Sequence, residues 1–324
     1  MPELRNDPIE IGGVSVPSGR KVRLEIPFGR VPIGSSDSLP VAVVNGRSAG
    51  PNIWVSAAIH GDELNGIDIV RRLLRELDAK NLRGAVIAVP IVNPLGFITE
   101  SRYLPDRRDL NRAFPGSKRG STASRLANLF IEEVVSHCSV GFDLHTGTNH
   151  RTNVPQIRTD IDDETCMRLA RAFGAPFTLG AKQRRGSLRE AAAAMGAAVL
   201  VYEGGQAHRF DQEVIDQGVD GLMRSLRSLG MIDARLPRAP RTKVIEKSRW
   251  VRARKGGLAE MLVEVGDRVV AGQPVTAISD AFGTRPTSVK ATVDGWIISR
   301  TLRPLVNSGD ALVHIAEDDR TGQS

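Results

Sequence analysis

The sequence predicts an α/β fold, in which a mixed sheet is flanked by helices and followed by a small all-β module. Between residues 53 and 92, an apolar run, an amphipathic segment and a second apolar run follow one another. This order indicates a strand–helix–strand unit with parallel strands. Between residues 250 and 313, the chain instead consists of short β-rich runs with Gly turns. A length of 324 residues leaves room for two domains.

Periodicity and turn residues predict the elements in order along the chain. β-rich runs punctuated by Gly and Pro indicate antiparallel edge strands at the N-terminus, and apolar runs indicate buried strands further on. The predicted strands are 9–16, 21–26, 39–44, 53–58, 85–92 and 197–202. The predicted helices are 64–77, 121–137, 161–173, 187–195 and 215–229. The polar segment 95–120 has little periodicity and is expected to be a long functional loop.

Two of these helices carry clear local signals. In the first, Ile67, Val70 and Leu74 repeat at helical spacing and should face the core. In the fourth, Ser187 followed by Glu190 is a capping-box pattern, which marks the start of a helix.

A linker is predicted where the sequence changes from alternating helix and strand patterns to short β-rich runs. Pro237 and Pro240 lie among basic residues between the last predicted helix and the β-rich runs. We therefore expect a main domain at 1–236, an all-β domain at 237–316 and a flexible tail at 317–324.

The succession of short β-rich runs and Gly turns in the C-terminal module resembles a lipoyl/biotinyl-like β-sandwich. Such domains carry a cofactor on a Lys at a hairpin tip, and the nearest candidate here is Lys290, without Met-Lys-Met around it. We therefore predict a structural module, which could wall a cleft of the main domain or mediate formation of a homo-oligomer. His314, near its end, is expected to have no functional role.

Composition favours a soluble globular protein. Hydrophobic residues make up 41% of the chain and charged residues 25%. The net charge is +7, but the cations are scattered and aromatic residues reach only 4%, which favours a solvated surface and anionic substrates over nucleic acid. Cys138 and Cys166 form no Cys-x-x-Cys pair, and the apolar runs predict neither a leader segment nor a membrane-spanning segment. We expect a cytoplasmic protein without a membrane partner.

Three residues are candidate ligands for a metal ion. His60 and Glu63 follow a predicted buried strand, and His145 follows another strand-like run. Imidazole nitrogen and carboxylate oxygen are normal Zn²⁺ ligands, and strand ends in an α/β sheet are usual places for a site. The alternative is a hydrogen-bonded pair, His60 and Glu63, that caps a helix.

Four motifs in order resemble the succinylglutamate desuccinylase/aspartoacylase family, a branch of the zinc carboxypeptidase superfamily. They span residues 60–205 and are specific for the family rather than for a substrate. The motifs are His60-Gly61-Asp62-Glu63, Arg102-Tyr103 with Asp109-Leu110-Asn111-Arg112-Ala113-Phe114-Pro115-Gly116, Asp143-Leu144-His145 and Tyr202-Glu203-Gly204-Gly205. The resemblance implies a zinc-carboxypeptidase-like sheet flanked by helices.

The resemblance also implies a metal centre and a base. His60, Glu63 and His145 would hold one zinc ion per chain and leave a position for water, whose pKa zinc lowers to about 7. Glu203 would be the general base and acid, although a Glu at a strand end is by itself ordinary. Asp109 would accept a hydrogen bond from a zinc-bound imidazole, a role for which Asp143 competes.

Further residues would hold the substrate. Asn111 and Arg112 match the pair that binds a substrate carboxylate, and Arg102 matches the arginine that stabilises the oxyanion. The predicted function is therefore zinc-dependent hydrolysis of the amide bond of an N-acyl amino acid, a small-molecule substrate. A carboxypeptidase acting on a peptide and a non-enzymatic carrier or binding protein are the alternatives.

Overall fold

The computed structural model describes residues 5–30, 36–148 and 150–318. Within them, a 13-stranded mixed sheet dominates the fold, accompanied by a two-stranded and a four-stranded sheet. The first ten strands are β1 (Ile9–Ile11), β2 (Val14–Val16), β3 (Arg20–Arg30), β4 (Ser36–Asn45), β5 (Ser48–Ala57), β6 (Arg83–Val89), β7 (Val140–Gly147), β8 (Arg151–Thr159), β9 (Phe177–Gly180) and β10 (Ala198–Gln206). The helices are α1 (Asn65–Glu76), α2 (Pro94–Ile98), α3 (Thr122–Glu133), α4 (Glu164–Phe173), α5 (Leu188–Ala194) and α6 (Gln212–Ser228).

Parallel strands form the centre of the large sheet. They run in the order β6, β5, β7 and β10, and each is parallel to its neighbour. On one side β4 and then β3 add antiparallel strands, and on the other side β8 is antiparallel to β10. The strand–helix–strand unit and the mixed sheet predicted from the sequence are thus confirmed.

Helices cover both faces of this sheet, as its apolar strands require. Helices α1, α4 and α6 pack with one face of the central strands, while α3 and α5 pack with the other. The alternation along β5 illustrates the division: Val55 and Ala57 belong to the first core, and Trp54 belongs to the second.

Local conformation explains where elements differ from expectation. The run 9–16 is a hairpin because Gly12 and Gly13 both have positive φ, and this hairpin forms its own small sheet. Helix α3 starts at the Ser121 cap as expected but ends at Glu133, and a short 3₁₀ turn follows. The segment 95–120 includes most of α2 and a 3₁₀ turn (Leu110–Arg112).

The strand predicted at 197–202 is longer in the structure and includes Glu203, Gly204 and Gly205. β10 continues to Gln206, with a register shift against β7 after Glu203. The backbone there pairs with strands on both sides, and backbone pairing does not depend on side chains. Backbone pairing with β7 and β8 therefore fixes the main chain at Glu203 within the sheet.

The C-terminal segment consists of strands, as the sequence predicts. They are β11 (Lys243–Ile245), β12 (Ser248–Arg252), β13 (Gly257–Met261), β14 (Arg268–Val269), β15 (Pro274–Ser279), β16 (Thr287–Lys290), β17 (Gly295–Thr301), β18 (Leu305–Val306) and β19 (Ala311–Glu317). Strand β17 pairs with β8, so that β12, β14, β17 and β19 extend the large sheet. Strand β11 also joins the large sheet by pairing with β9, and β13, β15, β16 and β18 form the four-stranded sheet.

The domain division at residue 237 and the lipoyl-like character of the segment stay predictions. Lys290 is the last residue of β16 and pairs with Pro274 of β15. β19 reaches Glu317, the first residue of the expected tail, and residues 319–324 lie outside the described part of the chain. No helix in the described ranges is long and apolar enough to cross a membrane.

Candidate metal centre and active-site pocket

His60, Glu63 and His145 converge at the carboxyl end of the central strands. His60 and Glu63 lie between β5 and α1, and His145 lies near the end of β7. Because β5 and β7 are parallel neighbours, with Ala57 opposite Leu144, these ends meet at one edge of the sheet. One ligand atom from each of the three buried side chains lies within 4.8 Å of the others. The three residues nominated as metal ligands are thus neighbours in space.

The two imidazoles present the same nitrogen to Glu63. Nδ1 of His60 lies 2.8 Å from Oε1 of Glu63, and Nδ1 of His145 lies 2.9 Å from Oε2. On their outer sides, Nε2 of His60 lies 3.3 Å from Asp109 Oδ1, and Nε2 of His145 lies 2.8 Å from Asp143 Oδ2. The sequence offers Asp109 and Asp143 as competitors for one contact, but each aspartate contacts its own imidazole.

Neighbouring donors hold both aspartates in place. Ser56 Oγ donates to Oδ1 of Asp143 at 2.8 Å. Arg102 donates to Oδ2 of Asp109 at 2.8 Å, and the backbone N–H of Asn111 donates to Oδ1 at 2.9 Å. These contacts fix the orientation of both rings from outside the cluster.

Neighbouring groups of opposite charge shift the pKa values of this buried cluster toward the ionised forms. Burial alone would raise the pKa of Glu63, but the two imidazoles lower it well below its usual range. Burial alone would also raise the pKa of Asp109, but its imidazole and guanidinium neighbours lower it. Burial would lower the pKa of His145, yet the carboxylates of Asp143 and Glu63 raise it. Glu63 and Asp109 are therefore ionised at neutral pH.

This donor set fits a divalent cation such as Zn²⁺. Both nitrogens of each ring face a carboxylate, Nδ1 facing Glu63 and Nε2 facing an aspartate. A cation held between Glu63 and the two rings would take Nδ1 of each ring as a ligand, and each Nε2 would donate to its aspartate. Two imidazole nitrogens and one carboxylate are a usual three-ligand set for a catalytic zinc. All three ligand side chains are buried, so a cation would also offset the charge of Glu63.

Glu203 lies beside the cluster on the next strand. It is opposite His145 in the parallel pair of β7 and β10, and both residues line one cavity. Nδ2 of Asn153 donates to Oε2 of Glu203 at 2.7 Å, and Nε of Arg158 lies 3.6 Å from Oε1. The carboxylate is thus held in a fixed orientation at the edge of the candidate metal site.

Arg102, Asn111 and Arg112 line the same cavity. Nη1 of Arg102 lies 3.6 Å from Oε1 of Glu63, so the guanidinium is adjacent to the cluster. Oδ1 of Asn111 accepts from the backbone N–H of Leu188 at 2.9 Å, which leaves the amide nitrogen as the atom that can donate to a ligand. Arg112 is exposed and donates to the backbone carbonyl of Asn111.

The cavity has a volume of about 570 Å³, which suits a small molecule. Cations dominate its lining, and most of them were not nominated from the sequence. The cationic residues are Arg102, Arg112, Arg151, Arg158, Lys182, Arg184 and Arg189, and the carboxylates are Glu63, Asp143 and Glu203. The charge pattern of the sequence indicated anionic substrates, but it did not indicate which cations face a ligand.

The C-terminal segment also reaches this cavity, through Ser248, Trp250, Ser299 and His314. His314, for which the sequence predicts no functional role, is thus part of the cavity wall. The one available signal is that His314 is a polar residue within the apolar run of β19, where a polar side chain needs a partner.

Comparison with known proteins places the chain in a family. A model of the succinylglutamate desuccinylase/aspartoacylase catalytic domain matches residues 49–229, more than half of the chain. The chain belongs to this family. The resemblance seen in the four sequence motifs is thereby confirmed.

Relatives of this desuccinylase/aspartoacylase family member include named enzymes. N-alpha-acetyl-L-2,4-diaminobutyric acid deacetylase from Halomonas elongata is 29% identical over 313 residues, which cover 90% of each chain. Succinylglutamate desuccinylase from Pseudomonas aeruginosa is 29% identical over 119 residues, which cover 34% of this chain and 35% of that enzyme.

Solved structures show the same fold. The product-bound ectoine utilization protein EutE (DoeB) from Ruegeria pomeroyi superimposes with a TM-score of 0.84 at 26% identity, covering 94% of this chain and 97% of that one. A succinylglutamate desuccinylase/aspartoacylase from Rhodobacter sphaeroides has a TM-score of 0.85 at 25% identity, covering 95% and 99%. The similarity therefore extends beyond the catalytic-domain match into the C-terminal segment.

Proposed function

We propose that this protein is a zinc-dependent hydrolase that cleaves the amide bond of an N-acyl amino acid to give a carboxylate and a free amino acid. The observation that carries the proposal is the convergence of His60, Glu63 and His145 beside Glu203 in one cationic cavity. Family membership supports it, as do the names of the relatives, which are a deacetylase and desuccinylases of acylated amino acids.

His60, Glu63 and His145 would hold one zinc ion per chain. Zinc bound there would polarise the acyl carbonyl and lower the pKa of a water molecule to about 7. Asp109 and Asp143 would keep the two rings aligned by accepting from their Nε2 atoms, which lie 3.3 Å and 2.8 Å from the aspartate oxygens.

Glu203 would move the proton. In the proposed reaction its carboxylate accepts a proton from the attacking water and returns it to the nitrogen of the leaving amino acid. Asn153 and Arg158 support this role because they hold the carboxylate in one orientation. Such positioning removes the cost of reorienting the base during the reaction.

Arg102 would stabilise the oxyanion that develops on the acyl carbonyl. Its guanidinium is fixed by Asp109 and lies beside Glu63, so its charge is already in place when the carbonyl oxygen becomes negative. Asn111 and Arg112 would bind the carboxylate of the amino acid, with an amide donor from Asn111 and a guanidinium from Arg112. The excess of cations around the cavity would favour entry of an anionic substrate.

The experiment that tests the function is release of free amine from a substrate panel. N-acetyl, N-formyl and N-succinyl amino acids are compared with dipeptides and longer peptides, with zinc supplied. We expect hydrolysis of at least one acyl amino acid at a kcat/KM well above that for any peptide. Cleavage confined to peptides would instead indicate the carboxypeptidase alternative.

A further inference from the structure

The proposed metal ligands and the proposed base belong to different elements of the fold. Glu63 lies just before α1, whereas Glu203 lies on β10. Glu203 would accept a proton from a water molecule held beside the metal ligands. Its distance from them has to be fixed, because a displacement of about 1 Å can cost about a hundredfold in rate. A contact between the start of α1 and β10 would fix this distance.

The backbone ladder by itself does not fix β10 beyond the base. Glu203 is opposite His145 on β7 and Gln156 on β8, but both registers shift after it. Within the described ranges, Gly204 is opposite no residue of either neighbouring strand. Irregularities of this kind bend a strand and re-aim its side chains, and they are frequent beside active sites. The direction of Glu203 therefore depends on what holds Gly204.

The side chain of Asn65, the first residue of α1, holds Gly204. Its Nδ2 donates to the backbone carbonyl of Gly204 at 3.2 Å, and its Oδ1 accepts from the backbone N–H of Asp211 at 2.8 Å. Asp211 caps α6, so a single amide ties down both ends of the segment 204–211. Asn65 is 1% exposed, and water therefore does not readily replace either hydrogen bond.

The main chain next to the base is shaped to admit this amide. Gly205 has a positive φ of 69°, and a Cβ there would lie 2.7 Å from Nδ2 of Asn65. A backbone hydrogen bond of 2.8 Å from His208 to the carbonyl of Asp62 holds the same segment further along. The bond from Asn65 reaches the residue directly after Glu203.

We propose that Asn65 is a positioning residue for the hydrolysis. By holding the carbonyl of Gly204, it keeps Glu203 at a set distance from Glu63, which lies two residues before Asn65. The path from the metal ligand to the base then runs through Leu64, Asn65, one hydrogen bond and Gly204. This role rests on the proposed deacylase function and on Glu203 as its base.

The test is a double-mutant cycle between Asn65 and Glu203. Asn65→Asp keeps the size of the side chain and an acceptor for Asp211, but its carboxylate has no donor for Gly204. Asn65→Ala removes both hydrogen bonds. Each substitution is made alone and together with Glu203→Gln. We measure kcat, KM and zinc content with an N-acyl amino acid that the unaltered protein hydrolyses, and unfolding midpoints verify that each variant is folded.

Asn45→Ala is the matched control. Asn45 is also fully buried, and its Nδ2 donates to the backbone carbonyls of Asp7 and Val16 at 2.9 Å and 2.8 Å. It is the last residue of β4 and does not line the active-site cavity. The control therefore removes the same kind of hydrogen bond away from the site. We expect a lower unfolding midpoint and an unchanged kcat.

Both Asn65 variants should bind one zinc per chain and lower kcat by about 10- to 100-fold, with KM nearly unchanged. In the Glu203→Gln background no base remains to be positioned, so the same substitutions should change kcat by less than about twofold. A purely structural role of Asn65 would instead lower kcat by the same factor in both backgrounds.

Equal losses in both backgrounds, loss of zinc from the Asn65 variants, or an unchanged kcat would overturn the positioning role while the deacylase function stands. Failure of both Asn65 variants to fold would assign the two hydrogen bonds to the fold and would overturn the role as well. Absence of hydrolysis of any acyl amino acid by the zinc-supplied, unaltered protein would overturn both proposals.

Discussion

Each imidazole of the candidate metal centre is defined by what it contacts on both sides. Glu63 meets Nδ1 of each ring, and an aspartate meets each Nε2. The sequence motifs name these residues, but only the structure shows that Asp109 and Asp143 serve different rings. Motifs record which residues are present, whereas pairing between them depends on side-chain direction.

Substitution of Glu203 tests the proposed proton transfer. Glu203→Gln keeps the shape and the contact with Asn153 but cannot accept a proton. We expect kcat to fall by about 10²–10⁴ while the protein still binds zinc. Steady-state kinetics and metal analysis on the same sample measure both. Glu164→Gln, at the exposed start of α4, serves as the control, and turnover near normal in Glu203→Gln would remove this residue from the mechanism.

His314 should make stability depend on pH. Its pKa is about 3 in the folded protein and about 6.5 when unfolded, because burial, Arg158 and Arg151 disfavour the charged ring. Between these pH values only the unfolded chain takes up the proton. The contribution of His314 is therefore complete above pH 6.5 and is lost toward pH 3, at up to about 1.4 kcal/mol per pH unit.

Chemical denaturation at pH 7 and pH 4.5 measures this effect. The difference in unfolding free energy between the two pH values should be smaller in His314→Gln than in the unaltered protein by roughly 2 kcal/mol. Other titrating groups contribute equally to both proteins and cancel in the comparison. The same pH dependence in both proteins would show that this imidazole does not titrate as described.

At the scale of elements, the periodicity of the sequence predicted those strands and helices that have a clear local pattern. β5, α1 and β6 are each marked by their own periodicity, and their order implies a parallel pair, which the structure confirms. His60 and Glu63 could therefore be assigned to a strand end. The pairing of β8 with β17 could not be predicted, because it joins residues far apart in the chain and no local pattern specifies it.

Gly66 controls how closely α1 approaches β5 and β7, whose carboxyl ends lie next to the candidate metal ligands. A Cβ at this position would lie 2.7 Å from Cβ of Ala57 in β5 and 2.8 Å from Cβ of Leu144 in β7. Gly66→Ala should therefore destabilise the protein by about 1–3 kcal/mol, although Ala usually favours a helix. It should also weaken zinc binding, because displacing α1 from β5 and β7 shifts Glu63, which lies just before the helix, relative to His145.

Thermal or chemical unfolding and a zinc titration measure these two effects. Arg75→Ala, on the exposed side of α1, is the matched control and should change neither quantity. An unchanged or increased stability of Gly66→Ala would show that the helix and the strands can move apart without cost.

At the scale of the whole molecule, the C-terminal strands are continuous with the catalytic sheet. β17 pairs with β8, and a shared apolar cluster joins Val154, Phe177 and Leu179 to Ile298 and Ala316. The segment also supplies part of the cavity wall. The sequence indicated a separate module because composition changes at the linker, but composition does not report which edges pair.

Truncation after residue 236 tests how far the two parts depend on each other. Removing the C-terminal segment would expose the edge of β8 and part of the shared apolar cluster. We expect the truncated chain to aggregate or to lose activity, and coexpression of residues 237–324 to recover soluble protein. A truncated chain that is folded, monodisperse and unchanged in KM would show that residues 1–236 form an autonomous catalytic domain.

Hydrolysis by the proposed enzyme should depend on zinc held by His60, Glu63 and His145. The most direct measurement is metal content and amine release in the same sample, after chelation and after zinc is returned, for the unaltered protein and for His60→Ala. We predict one zinc per chain and restored hydrolysis in the unaltered protein, with neither in the variant. Full hydrolysis by metal-free protein would show that the reaction does not need zinc, and one zinc per chain retained by His60→Ala would show that His60 is not a ligand.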